Sequence, residues 1–523
     1  MNVVVALLVG LLVAWPASAE GNPRVAIVGG GVAGASAAYH VRQALPEADI
    51  TVFERKRLGG RAEEVVIDGV TVELGASIIW NKNYLMADLA QAAGLEREQL
   101  EGDGLLAVYD GQILVFEESS WSLLTLLRLL LRYWFSFWEF RPAPAAAFAK
   151  FQGIYKFLDS GTAFEQADEL LKATGLYDYT QASLFEWVRE TYGVGMDQLR
   201  AELLAGVTKT DYNQHTLEVN ALAGMVALLP ATDPGVWRIR GGNGRLPPAV
   251  LCAANATVRC PVAVSAVRRL EDGRFQLDLA SQQGQAAEQD KTQQQGRPAV
   301  QQGAEGPFDA VILATPLEGS GISLEGLPDK PLIPARKYQK ARATEGSAGG
   351  LVVTTIVKGS VRPSYFGLTE MVYSTVLVTE DARLPWNSLS LVGHTSGNAT
   401  LWKLFSREGM PHAWLELMFE RGFEVVAERV WDAPGAYPAF DPPEDFAPFK
   451  LADGLYYTAA LENAASAMEI AAIEGRMTAL LTAQHLKGQA AARAGTAGQQ
   501  RAPGDGTVLR PPSQDAEQVA AAA

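Results

Sequence analysis

The sequence predicts an α/β chain of two interleaved domains: a discontinuous Rossmann-like nucleotide-binding domain and a helix-rich α+β second domain. Three observations point there. The apolar run Arg24 to Val28 leads straight into Gly29-Gly30-Gly31-Val32-Ala33-Gly34, and a second apolar run, Ile50 to Phe53, ends in Glu54, the distance at which a nucleotide fold sets its acid. Blocks of similar character return at Trp237 to Leu246, Thr257 to Leu270, Phe308 to Pro316 and Leu455 to Leu486, separated by long stretches of another kind. At 523 residues the chain exceeds one ordinary core. The expected boundaries are 22–78, 237–316 and 450–487 for the nucleotide domain, and 79–236 and 317–449 for the second.

The chain opens with an apolar stretch, Val3 to Trp15, followed by Ala17-Ser18-Ala19. This is the pattern of a signal peptide over residues 1–19, although no Lys or Arg precedes the apolar stretch. Entry into the secretory pathway follows, and the sequons at Asn255 and Asn398 are compatible glycosylation sites. The two cysteines, Cys252 and Cys260, make neither a disulfide scaffold nor a metal site, and leave open whether they pair. A formal net charge of -15 argues against nucleic acid as a partner.

The glycine turn has a chemical logic. Gly29 permits a tight turn, Gly31 lets the backbone approach a pyrophosphate, and Gly34 lets the helix pack on its strand. Val32 and Ala33 open that helix, whose unpaired N–H groups favour an anion, while Glu54 can accept hydrogen bonds from a ribose diol. Glu54-Arg55 is followed by Leu58-Gly59-Gly60-Arg61 and then Val72-Glu73-Leu74-Gly75-Ala76-Ser77. This succession resembles flavoproteins of the amine oxidase and glutathione reductase type. The resemblance implies an FAD-dependent oxidoreductase fold, with Arg55 at the cofactor, Arg61 as a fork of donors to phosphate, and Gly60, Ala76 and Ser77 near the flavin.

Further along, Phe308 to Pro316 reads as a buried parallel strand ending in a turn, and Thr257 to Leu270 as a strand pair. Periodic segments predict helices at Trp121 to Phe140, Ala145 to Leu158, Leu184 to Leu204 and Leu401 to Glu408. Strands are expected at Leu351 to Val357, Met371 to Val378 and Ser388 to Gly393. Residues 281–306 and 488–523, poor in large apolar side chains, are expected to be a disordered insertion and tail. Between Trp121 and Phe140, Ser122, Thr125, Arg128, Arg132, Ser136 and Glu139 form a polar stripe opposite a broad Leu/Trp/Phe face. Three readings stay open: peripheral membrane contact with arginines at the headgroups, a cover over an apolar tunnel, or an ordinary core helix.

Five scattered histidines have no ligand spacing, so no metal is implied, and no nucleophile motif occurs. That fits a flavin, which accepts hydride while the protein orients the substrate. His215 and Glu462 are the weak candidates for proton chemistry.

With these blocks in place, residues 24–486 are similar to the prenylcysteine oxidase family, also called prenylcysteine or farnesylcysteine lyases. The carriers are Val207 to Gln214, Gly241-Gly242-Asn243, Ile312 to Leu317, Leu455-Tyr456-Tyr457 and Glu462 to Glu469. Asn463 and Lys209 depart from the family's usual cysteine and arginine. The resemblance implies FAD-dependent oxidation of farnesyl- or geranylgeranylcysteine by oxygen, giving cysteine, a prenyl aldehyde and hydrogen peroxide, in a lysosome or vacuole. It also implies that Val267 presents backbone to the adenine and that Met468 and Glu469 sit at the cofactor on the final helix turn. With no cysteine after Cys260, FAD is expected to be held non-covalently. The alternatives are a general flavin amine or polyamine oxidase and a non-catalytic prenyl-binding carrier.

Overall fold

The computed structural model describes residues 21–100, 104–232, 235–280, 303–329, 352–431 and 440–500. The expected signal peptide, most of the 281–306 insertion and the tail beyond 500 lie outside them.

Short apolar strands from all parts of the chain meet in one six-stranded sheet. Its order is Thr257–Arg259, Asp49–Phe53 (β2), Arg24–Val28 (β1), Ala310–Leu313, Leu455–Tyr457 and Lys450–Ala452. The first five are parallel and the last is antiparallel. Val25, Ala26, Ile27 and all of Ala310 to Leu313 are fully buried, as expected of strands covered on both faces. Helix α1 (Val32–Ala44) and the final helix, Met468–Gln500, cross unusually closely. A Cβ added at Gly475 would stand 2.4 Å from the Ala33 carbonyl oxygen and 2.8 Å from the Ala37 nitrogen. Ser36 Oγ donates to the Ala472 carbonyl at 2.7 Å across the same crossing.

The second sheet has seven strands in the order Glu424–Trp431, Val352–Lys358, Thr400–Ser406, Ser388–His394, Tyr373–Val378, Leu105–Tyr109 and Leu114–Glu117. The helix Ala205–Asp211 packs on it, and Ala221–Thr232 packs on that helix and on Pro142–Asp159. The 79–236 stretch is therefore not helical throughout. It lends two strands to this sheet, and two more, Ile79–Trp80 and Arg97–Leu100, flank Val236–Ile239.

Several sequence expectations are corrected. The helix expected at Leu401 to Glu408 is the strand Thr400–Ser406. Leu401, Trp402, Lys403 and Leu404 are all buried, so no alternation marks it as a strand, and pairing with strands on both sides decides its conformation. The Thr257 to Leu270 pair splits between two sheets, with Ala263–Arg269 joining Phe275–Ala280. The Leu184 helix ends at Tyr192, because Gly193 turns the chain at φ +83. Residues Gly303–Phe308, in part assigned to the insertion, form a strand against Phe275–Ala280. The final helix continues through alanine-rich residues to Gln500, past the expected start of the tail. Cys252 and Cys260 are free and exposed.

The Trp121 to Phe140 segment is also not one helix. Ser122–Tyr133 and Ser136–Phe140 are separated by Trp134 at φ +52. Their apolar face is turned outward: Trp121 is 75% exposed, Leu123 77% and Leu131 71%, which excludes the core-helix reading. The arginines turn inward instead of toward headgroups. Arg128 Nη1 donates to the Glu117 carbonyl at 2.7 Å, and Arg132 forks onto Glu202 at 2.6 and 2.7 Å. Among the described residues no helix is long and apolar enough to cross a membrane.

The close crossing of the two helices makes a directional prediction. Gly475→Ala forces a methyl against backbone atoms that cannot rotate away, and is expected to cost about 1–3 kcal/mol in urea denaturation. Gly488→Ala in the same helix meets nothing within 4 Å and is expected to stabilise by about 0.4–1 kcal/mol.

Candidate active site

The cleft begins where β1 ends. Gly29 donates its N–H to the Phe53 carbonyl at 2.8 Å and holds φ +119, and a Cβ there would lie 2.4 Å from the Ala314 carbonyl oxygen. A side chain at Gly34 would strike the Gly29 carbonyl oxygen at 2.0 Å. Gly31 is different: a Cβ there would come no closer than 3.7 Å, an ordinary contact with Gly60, and at this N-cap no side chain caps the start of α1. Glu54 clasps the turn, its two carboxylate oxygens accepting the N–H of Gly30 at 2.9 Å and of Lys56 at 2.8 Å. Arg61 reaches the cleft from the following glycine turn, where its guanidinium pairs with the Glu462 carboxylate and lies 3.4 Å from Ser466 Oγ.

From that polar end the cleft runs between Ala314-Thr315-Pro316 and Ser466-Ala467-Met468 into a chamber walled by Val352, Phe405 and Trp431. Asp211 and Asn213 border it. Of the residues expected at the cofactor, Gly29, Gly31, Val32, Ala33, Glu54, Arg55, Gly60, Arg61, Ala76 and Met468 line this cleft. Gly34 lies behind the turn and acts through packing. Ser77 stands beside the cleft, accepting from Lys403 Nζ at 2.7 Å.

Three expectations are corrected by position. Val267 is buried in the antiparallel sheet at 1% exposure, away from the cleft; the chain that passes Glu54 is the preceding turn, where Glu54 N–H donates to Arg259 and Val262 N–H donates to Glu54. Glu469 turns away from the cleft to cap the helix Tyr84–Ala92, accepting from the Leu85 and Met86 N–H groups and the Tyr155 hydroxyl at 2.9 Å each. His215 is outside the cleft too, with Nδ1 3.2 Å from Glu380. Glu462 stands by the cleft as the partner that orients Arg61.

What the sequence reading missed is a buried charge cluster behind the chamber. Burial pushes the Lys403 amine down to about 8, with Glu73 opposing, and lifts the Asp211 carboxyl to about 7 against the pull of Lys403. Burial also lifts Glu73 to about 7, although one of its oxygens accepts from the Asn243 N–H at 2.7 Å. Asn243 further donates to the Ala76 and Ser77 carbonyls at 3.0 and 3.1 Å, so the Gly-Gly-Asn block pins the turn beside the cleft. The visible signal was a charge inside an apolar run, Lys403 in Leu-Trp-Lys-Leu-Phe and Glu73 in Val-Glu-Leu.

An uncapped helix start, an acid at the glycine turn and a chamber with Val352, Phe405 and Trp431 in its wall suit a dinucleotide with a flat aromatic ring. Fold and cleft together define a flavin-dependent oxidoreductase. Residues 116–493 match the profile of the prenylcysteine lyase family, and residues 27–92 that of NAD(P)-binding Rossmann-like domains. The chain is 30% identical over 484 residues to prenylcysteine oxidase 1 of Homo sapiens, covering 88% of each chain. It is 30% identical over 481 residues to farnesylcysteine lyase of Arabidopsis thaliana, covering 87% of each. Cyclohexylamine oxidase from Brevibacterium oxydans shares the fold with a TM-score of 0.55 at 15% identity, over 89% of this chain and 100% of that one. This chain is a member of the prenylcysteine lyase family.

Two predictions follow from the geometry. Glu54→Ala is expected to weaken FAD binding about ten- to a hundredfold, the worth of a charge-assisted hydrogen bond, with an unchanged far-UV circular dichroism spectrum; wild-type affinity in a flavin titration would remove Glu54 from the ribose. Burial raises Glu469 from 4.5 to about 7. The native state therefore keeps a proton that the unfolded chain loses between those values, and the resulting stability is complete below about pH 4.5 and gone above about pH 7. Thermal melts should show Tm falling across that window, with a shallower slope in Glu469→Gln.

Proposed function

We propose that this chain catalyses FAD-dependent oxidative cleavage of the thioether of prenylated cysteine, in the degradation of prenylated proteins. The observation that carries this reading is the cleft itself, a glycine-turn nucleotide cleft with Val352, Phe405 and Trp431 in its lining, in a chain so similar to the named oxidases and lyases. The thioether, water and oxygen are converted to cysteine, a prenyl aldehyde and hydrogen peroxide. The prenyl carbon bonded to sulfur is oxidised by two electrons, its carbon–sulfur bond breaks, the aldehyde oxygen comes from water, and oxygen is reduced to peroxide.

Bound flavin supplies the two-electron acceptor that oxygen regenerates. The chain supplies the rest. The N–H groups at the start of α1 would hold the pyrophosphate, Glu54 would take the ribose diol, and Arg61, steadied by Glu462, would offer donors to phosphate oxygens. Val352, Phe405 and Trp431 give the chamber an apolar wall against which a substrate can pack. The carbon that loses hydride is flanked by sulfur and a double bond, so no weak acid has to be deprotonated first. Asp211 at the cleft wall and Lys403 Nζ on Ser77 Oγ are groups that can exchange a proton near neutral pH.

Non-covalent FAD is supported by the lack of any cysteine after Cys260 and by a described cleft lining without histidine. A secretory route to the lysosome or vacuole is supported by the N-terminal pattern and by Asn255 and Asn398 on exposed turns. Peripheral contact with a membrane is supported by the outward Trp121, Leu123, Leu131 and Trp134.

Purified protein is expected to be yellow, to release FAD on denaturation, and to form peroxide and aldehyde with farnesyl- or geranylgeranylcysteine. No peroxide from either would sink the proposal, and turnover of spermine alone would transfer the chain to the amine oxidases. His215→Ala should keep kcat within about a hundredfold of wild type, the loss expected of a missing general base.

A further inference from the structure

Lys403 sits in the middle of the second sheet, where a lysine is out of place. Its strand, Thr400–Ser406, is paired on both sides, with Ile356 and Ser390 opposite Lys403, and the residue is 7% exposed. Nζ donates to Ser77 Oγ at 2.7 Å, has the Glu73 carbonyl oxygen at 3.5 Å, and stands 5.1 Å from the centre of the Phe405 ring. Phe405 lines the cofactor cleft, and so do Gly75 and Ala76, the two residues before Ser77. The amine therefore lies directly behind the cleft wall.

Its charge is kept without being cancelled by contact. Burial draws the amine down to about 8, which leaves it an ammonium at neutral pH. Among the described residues no carboxylate forms an ion pair with it; Glu73 and Asp211 attract it from a distance, and Arg238 repels it. One Glu73 oxygen accepts the Asn243 N–H, and the other is buried without a hydrogen-bond partner. Nor does the turn at Ala76 and Ser77 need the amine to hold its shape. Asn243 Nδ2 already donates to both carbonyls, at 3.0 and 3.1 Å, and Ser77 Oγ donates to the Gly75 carbonyl at 2.9 Å. Burying an ammonium is costly, and an apolar side chain would fill the same place at less cost. What the ammonium adds is a field that little water screens.

We infer that Lys403 is the fixed positive charge that favours the reduced, negatively charged state of a flavin held in the cleft, acting across the wall that Phe405, Gly75 and Ala76 form. Accepting a hydride adds negative charge on the cleft side of that wall. A preorganised ammonium behind it stabilises the charge that develops more than the oxidised state, and so favours hydride acceptance. Lys403 touches no reacting atom in this role. The assignment rests on FAD as the cofactor, as proposed above, and holds whichever substrate is oxidised.

Sulfite tests this without any substrate. It adds to oxidised flavin through the sulfur lone pair, leaves a negative charge on the ring and bleaches its visible absorbance, so its dissociation constant reports how well the site holds that charge. The measurement is made on holoprotein between the values of Asp211 and Lys403, about 7 and about 8, where both are largely ionised. Lys403→Met is expected to weaken sulfite at least about tenfold, the order of effect of one unit charge at such range, and Ser77→Ala, which removes the hydrogen bond and keeps the charge, by less than about threefold. Asp211→Asn removes an anion that faces the ammonium and is expected to tighten sulfite about threefold. That opposite sign is one that a purely structural role does not produce. An unchanged constant in Lys403→Met, or a loss in Ser77→Ala as large as in Lys403→Met, would overturn the assignment. Where Lys403→Met holds no flavin, an unchanged or weaker constant in Asp211→Asn overturns it. A wild type that binds no flavin overturns the proposed function as well; a wild type that oxidises prenylcysteine but forms no sulfite adduct overturns only the role of Lys403.

Discussion

Everything in the cofactor site depends on backbone approaching backbone where β1 becomes α1. Gly29 against Ala314 and Gly34 against Gly29 leave no room for a Cβ, and on the opposite side of α1 Gly475 lets the final helix press on Ala33 and Ala37. These contacts hold the start of α1 in one place, at the edge of the cleft and without a side-chain cap. A fixed helix start whose first N–H groups have no side-chain partner is what an anion site needs. The same crossing brings Ser466 to Met468 to the cleft, because those residues directly precede or open the final helix.

The far end of the cleft follows another rule. There the second sheet meets the nucleotide domain, and the ionisable groups Lys403, Glu73 and Asp211 stand among its residues. Each has its ionised form disfavoured by desolvation, and each is partly compensated by the others or by a backbone hydrogen bond. Such a cluster costs stability. Its position beside Ser77 and the cleft gives the domain boundary polar groups that an apolar interface would lack.

The outward helices are the converse. An apolar face with several large side chains more than half exposed is unusual on a soluble surface. Trp134 at φ +52 bends the segment so that Tyr133 and Phe140 turn inward while the residues around them face out, and Arg128 and Arg132 are used to fasten the helix to Glu117 and Glu202. The cations are structural ties, and the apolar face is left outward.

The sequence by itself determined what is local: the glycine turn, the acid that clasps it, the arginine of the next turn, the apolar strands that follow, and the motifs that mark the family. These were legible because turn and strand chemistry acts over a few neighbouring residues. Only the tertiary structure decided what depends on distant partners. Leu401 to Ser406 is a strand because strands lie on both sides of it, and Val267 leaves the site because its strand belongs to another sheet. Glu469 caps a helix that begins 385 positions earlier in the chain, at Tyr84. Lys403 meets Ser77 across 326 residues. A periodicity cannot report such meetings, because burial on both faces erases it, and a buried charge shows its meaning only once its partners surround it.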